Sequence, residues 1–317
     1  MIALWIALGL FAAVILLSVA GAVYLIFDSF TRTKTAAENF DRYCKRLAEE
    51  GKVEISEKLS GGKKAMEAEP HEDVWIMSKD AKKLHGIVIE PDPEAKRTAI
   101  LVHGYRGQGG SDFSVIWRYY RERGYRILVI DQRTHGQSEG RFITFGKKER
   151  HDVANWVEYI KSMYGEDQRI VLHGVSMGAA TVMLSQALPD NRGRLFAVVA
   201  DCGYVSPKQQ FAHMFKQMKL PYFPLFPIAN FVCRIVCGYW FGEIHCGKAL
   251  AEAEVPVLLI HGESDNFVPT ECSRINFGFA KEPKTLYLVP GAAHATAALT
   301  DTEGYFRQLD FLLENIS

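Results

Sequence analysis

Six short runs rich in β-branched residues, at 98–104 (TAILVHG), 125–131 (YRILVID), 169–174 (RIVLHG), 195–201 (LFAVVAD), 256–262 (PVLLIHG) and 284–290 (KTLYLVP), all close on Gly, Asp or Pro. They are strand-length and too continuously apolar to have one side in water, so they read as strands buried on both faces. Amphipathic segments such as ERHDVANWVEYIKSMYG and TEGYFRQLDFLLENI separate most of the strands or follow them. Strands alternating with helices dictate a mostly parallel sheet covered on both faces, an α/β architecture. VWIM (74–77) and LHGIVIE (84–90), joined by SKDAKK, add an opening hairpin. Ligands bind such sheets at the carboxyl ends of the strands, so the polar residues just past each run are the place to look for chemistry.

Past the 169–174 run the chain reads LHGVSMGAA, and MGAATVMLSQAL then has the spacing of a helix. Ser176 therefore sits on a strand-to-helix turn in a G-x-S-x-G pattern. Gly174 and Gly178 lack side chains, which lets strand and helix approach. A serine hydroxyl is a weak nucleophile and needs a base, which in turn needs a carboxylate to fix its tautomer. HGESDNFVP supplies Asp265, with Glu263 as its competitor, and VPGAAHATAA supplies His294. The expected oxyanion donors are the amide of Met177, at the start of the helix, and that of Tyr105, in the Gly-rich loop HGYRGQGGS.

Composition removes other classes. Lys plus Arg and Asp plus Glu both number 37, without a basic stripe, so nucleic-acid binding has no electrostatic support. The six cysteines form no C-x-x-C pair and no metal-ligand spacing, and read as buried thiols. Residues 2–27 are uncharged, long enough for a retained single-pass membrane anchor, and lack the basic start of a cleaved signal peptide. Arg32, Lys34, Arg42, Lys45 and Arg46 follow that run and no charged side chain precedes it, which predicts a cytoplasmic domain on the membrane. Residues 28–69 are expected to hold a juxtamembrane helix, with Phe40, Tyr43, Cys44 and Leu47 on one face, and a polar, Gly-rich linker at 58–73. The globular domain is expected from about 70 to 317.

The motifs LVHGYRG, VIDQRTHGQSEG, LHGVSMGAA, LIHGESDNFVP and VPGAAHA occur in this order. With them the chain resembles the α/β-hydrolase superfamily, and looks most like the membrane-anchored bacterial branch related to the BEM46-like serine hydrolases. The resemblance implies Ser176 as nucleophile, His294 as base, Asp265 as its orienter, Tyr105 and Met177 as the oxyanion hole, and no cofactor or metal. Asp131, Arg133 and His135 read as a structural polar cluster at the floor of the site. The segment 204–252, between two strands, is too long for a plain connection and is expected to be a helical lid inserted before the acid-bearing strand. Its aromatics, Phe223 and Phe226 among them, are candidates for an acyl-binding wall. The implied activity is hydrolysis of a small-molecule or lipid carboxylic ester through an acyl-enzyme. A serine peptidase of the same fold and a catalytically idle binding scaffold are the alternatives.

Overall fold

The computed structural model describes residues 5, 6, 8–10, 20, 21, 23, 24, 26–31 and 36–314. Eight strands form one sheet: β1 (Glu72–Met77), β2 (Lys83–Ile89), β3 (Arg97–Val102), β4 (Arg126–Ile130), β5 (Arg169–Val175), β6 (Ala197–Asp201), β7 (Val257–Gly262) and β8 (Lys284–Val289). Their order is β1-β2-β4-β3-β5-β6-β7-β8. β1 pairs antiparallel with β2 and β2 with β4, and every later pairing is parallel. The chain runs outward from β3 to β4 and then returns across β3 to β5. The strand order therefore reverses between β3 and β5, which makes a crevice at their carboxyl ends.

The continuous apolar runs bury both sides of the sheet. Ile100, Val102, Leu128, Ile130, Ile170, Leu172, Val198 and Leu259 face one core, which includes the helices Glu149–Tyr164 and Met177–Ser185 and the lid. Ala99, Leu101, Ile127, Val129, Val171, Val199, Leu258 and Ile260 alternate with them and face the other, which includes the helices Trp117–Glu122 and Thr302–Glu314. This is the period-2 geometry of a strand with both faces covered.

Two expectations at the amino-terminal side are corrected. The segment read as a linker at 58–73 is largely helix, Val53–Ala68, despite Gly61 and Gly62. Glycine is a poor helix former, but tertiary packing outweighs that preference here. A Cβ on Gly62 would lie 2.1 Å from the Ser114 carbonyl oxygen, and Trp117 donates its indole N–H to the Gly62 carbonyl at 3.2 Å. Packing against the domain also begins well before residue 70. Phe30 is fully buried, stacked on Phe211 at 5.7 Å and edge-on to Phe145 at 5.5 Å. The helix Ala36–Glu49 does bury Cys44 and Leu47 against Leu59, with Phe40 and Tyr43 partly covered, as its spacing predicts. The uncharged 2–27 run lies for the greater part outside the described residues. Among the described residues no single helix is long and apolar enough to cross a membrane.

Candidate active site

β5 ends at Val175 and the helix Met177–Ser185 starts two residues later, so Ser176 alone makes the turn, with φ +56° and ψ −115°. A non-glycine residue holds such a conformation only where its surroundings force it. The surroundings are the two glycines. A Cβ on Gly174 would come 2.2 Å from the Gly178 carbonyl oxygen, and one on Gly178 would come 1.8 Å from that of Val102. The Ser176 amide donates to the Asp201 carbonyl at 2.8 Å, which ties the turn to the end of β6.

Loops after β7 and β8 bring the other residues to this point. His294 Nε2 lies 2.9 Å from Ser176 Oγ, and His294 Nδ1 lies 2.7 Å from Asp265 Oδ2. Asp265 is buried, and its Oδ1 accepts the Phe267 and Val268 amides at 2.9 Å each. Burial alone would raise its pKa. The hydrogen bonds from His261 and His294, His294's charge and the Val268 amide outweigh burial and hold the carboxyl well below its usual range, so it stays ionised. Glu263 is exposed and lies 3.8 Å from Arg274, so the structure brings Asp265, and not Glu263, to His294.

Tyr105 and Met177 line a small apolar cavity together with Ser176, and among the described residues neither amide donates to an acceptor of the fold. Phe145, Tyr204, Phe211 and Met214 complete most of its wall. Ser29, Tyr105, Phe211 and Met214 also border a second cavity, of about 250 Å³, that continues past Phe215, Met218, Leu220 and Leu225. The lid residues shared by both cavities are Phe211 and Met214, and the two aromatics singled out in the sequence line neither. Phe223 points into solvent, and Phe226 is buried against Tyr222 and Phe215.

Cys202 Sγ, Asp265 and His294 offer donor atoms within 4.8 Å of one another. Burial first, then the charges of Asp201 and Asp265, raise the Cys202 thiol well above its ordinary pKa, which keeps it protonated and a poor metal ligand. The histidine and carboxylate already serve each other, so this donor set suits proton transfer.

A model of the family described as "Serine aminopeptidase, S33" matches residues 93–237. The Bem46 protein of Schizosaccharomyces pombe is 26% identical over 226 residues, which cover 70% of this chain and 69% of that protein. The chain is an α/β hydrolase, similar to the BEM46-like proteins. The uncharacterized protein YqkD of Bacillus subtilis is 29% identical over 225 residues, 71% of this chain and 73% of its own. Among solved structures, the Pyrococcus furiosus esterase Pf2001 superposes with a TM-score of 0.64 at 25% identity, covering 78% of the hydrolase and 91% of the esterase.

The hydrolase supports its site with groups of two kinds. The segment 131–135 is structural, as read from the sequence. Arg133 pairs with Asp152 at 2.6 Å and with Asp80 at 3.0 Å, and Asp131 lies 2.7 Å from His85 Nδ1. His135 Nε2 accepts the Arg106 amide at 3.0 Å, which braces the backbone next to Tyr105 at a residue with φ +53°. The other group went unread in the sequence. Asp112 is half-buried and accepts the Gly104 amide at 2.6 Å, pinning the start of the same loop. Beneath the elbow, Tyr120, His173, Tyr305 and Asp201 form a buried chain with links of 2.9, 2.9 and 3.1 Å. Burial pushes His173 down to about 3, so it is neutral and joins the two tyrosines through both ring nitrogens.

Proposed function

We propose that the hydrolase cleaves carboxylic esters through an acyl-enzyme on Ser176. The observation that carries this reading is the hydrogen-bonded line Ser176–His294–Asp265 opening on an apolar channel. In this scheme His294 Nε2 takes the hydroxyl proton as Oγ adds to the ester carbonyl, and Asp265 stabilises the imidazolium. The Tyr105 and Met177 amides receive the oxyanion. Collapse of the tetrahedral species breaks the acyl C–O bond, and His294 returns the proton to the leaving alcohol. Water then repeats the sequence on the acyl-enzyme and frees the carboxylic acid and Ser176.

The lining of the channel favours esters over peptides. Its charged members are Asp28 and Arg106, and these pair with each other at 2.9 Å. A peptide amino-terminus would find no unpaired carboxylate among the described lining residues. The Pyrococcus esterase adds support by likeness. The test is a panel of acyl esters and aminoacyl anilides given to the wild type and to Ser176→Ala. Ester turnover that depends on Ser176 is expected, and Ser176-dependent turnover of the anilides alone would favour the peptidase reading.

Acyl preference should be set by Phe211 and Met214. Each methylene that enters the channel adds about 0.8 kcal/mol, or roughly fourfold in kcat/KM while the channel still covers it. Phe211→Ala and Met214→Ala should flatten or shift this slope across a series of straight-chain esters. An unchanged profile would mean that the acyl chain lies elsewhere.

The uncharged 2–27 run and the basic residues behind it support a membrane-tethered domain facing the cytoplasm. Protease added to intact cells, to spheroplasts and to lysed membranes reports the side. The domain should survive until the inner membrane is breached, and earlier loss would place it outside.

A further inference from the structure

Between Asp201 and Glu243 the sequence carries Lys208, Lys216, Lys219 and Arg234 and no carboxylate, in a chain whose formal charge is balanced. In the fold this stretch is the lid, with the helices Pro207–Gln217 and Tyr222–Cys237. The inner side of the second helix buries Leu225, Phe226, Ala229, Cys233 and Cys237. Its outer side should then be polar, as on an ordinary surface helix. Instead Pro227, Phe231 and Ile235 recur every four residues on it, all exposed, Ile235 to 67%, and Phe223, at the non-helical kink where the helix begins, is exposed to 78%. Met218 and Tyr222 extend the apolar surface toward the first lid helix. Met218 is also a wall of the channel that leads to Ser176, so surface and channel are continuous.

We propose that this lid face docks on an anionic bilayer, and that an amphiphilic acyl ester enters from that bilayer, acyl chain first, past Met218 and Leu220. An apolar stripe interspersed with basic residues is the pattern of a helix lying in the membrane interface. Charge selects the occupant. A second copy would bring a like-charged face against this one, whereas anionic headgroups complement it. Position agrees, because Ile26, Asp28 and Ser29 border the channel just where the uncharged 2–27 run of the sequence ends. The substrate half of the proposal rests on the ester-hydrolase reading, and the docking half does not.

The test uses the full chain reconstituted into vesicles of phosphatidylcholine, with and without phosphatidylglycerol. Ile235→Cys carries an environment-sensitive fluorophore, and the six native thiols are all buried. Fluorescence should shift to the blue and be quenched by lipid-borne quenchers as the phosphatidylglycerol fraction rises. A basic side chain near such a surface strengthens docking about fivefold, so K216Q/K219Q/R234Q together should weaken it roughly a hundredfold. The same triple variant, and F223S/F231S/I235S, should lose turnover of a long-chain ester dissolved in the vesicles and keep that of a soluble short-chain ester. A label left unquenched in both vesicles, or shielded by self-association without them, overturns the docking. Vesicle-ester turnover that persists when the label is undocked overturns the route. Quenching in an enzyme that hydrolyses neither ester would leave docking intact and defeat the ester reading instead.

Discussion

Asp265→Asn should lower kcat about ten-thousand-fold, the drop found when the equivalent carboxylate of a serine protease becomes an amide. Glu263→Gln should leave kcat close to wild type. The difference follows from which atoms are already committed. Asp265 Oδ1 accepts two backbone amides, so an asparagine would keep its carbonyl oxygen there and turn its NH2 toward His294 Nδ1. That donor demands an unprotonated Nδ1, which moves the ring proton to Nε2, the nitrogen facing Ser176 Oγ at 2.9 Å. A protonated Nε2 cannot accept the serine proton. Glu263 makes no contact with His294 and pairs loosely with Arg274 at the surface, where substitutions seldom change stability by more than about 0.5 kcal/mol. Steady-state kinetics of the two variants on one ester decide the matter, and equal losses would mean that the acid has been misplaced.

The site was legible in the sequence to the extent that it depends on short-range geometry. Six strands announced themselves because a strand buried on both faces must be continuously apolar, and the opening pair because two short runs flank the turn SKDAKK. Ser176, Asp265 and His294 each follow a strand directly, so the fold class alone gathers them at one edge. Groups that act through tertiary contacts without a local motif were hidden. Nothing local marks Asp112 as the acceptor of the Gly104 amide, and a Ser-Asp pair in a Gly-rich loop reads equally well as a turn. Phe30 and Ser29 looked like the edge of a juxtamembrane segment, yet Phe30 stacks on the lid and the Ser29 carbonyl accepts the Tyr105 hydroxyl at 2.9 Å. The Gly61–Gly62 pair concealed a helix because its glycine is required by a contact with Ser114, more than fifty residues away in the chain. In the lid, composition disclosed aromatics but not their direction. Phe211 and Phe223 look alike in sequence, and packing against Phe241 at 4.4 Å turns the first inward while the second is left in water.

Losing Ser176 should cost on the order of a million-fold in kcat, as for the nucleophile of subtilisin, and losing His294 about as much. The most direct measurement of the central claim needs no knowledge of the natural substrate. A fluorophosphonate probe forms a phosphorus–oxygen bond to an activated serine as fluoride leaves and the base takes the hydroxyl proton. With the wild type, mass spectrometry should locate the adduct on Ser176 at one probe per chain. His294→Ala should label far more slowly, because the base lies 2.9 Å from Oγ, and Ser176→Ala should not label at all. Labelling that persists in folded Ser176→Ala, or an adduct on a different residue of the wild type, would contradict the account.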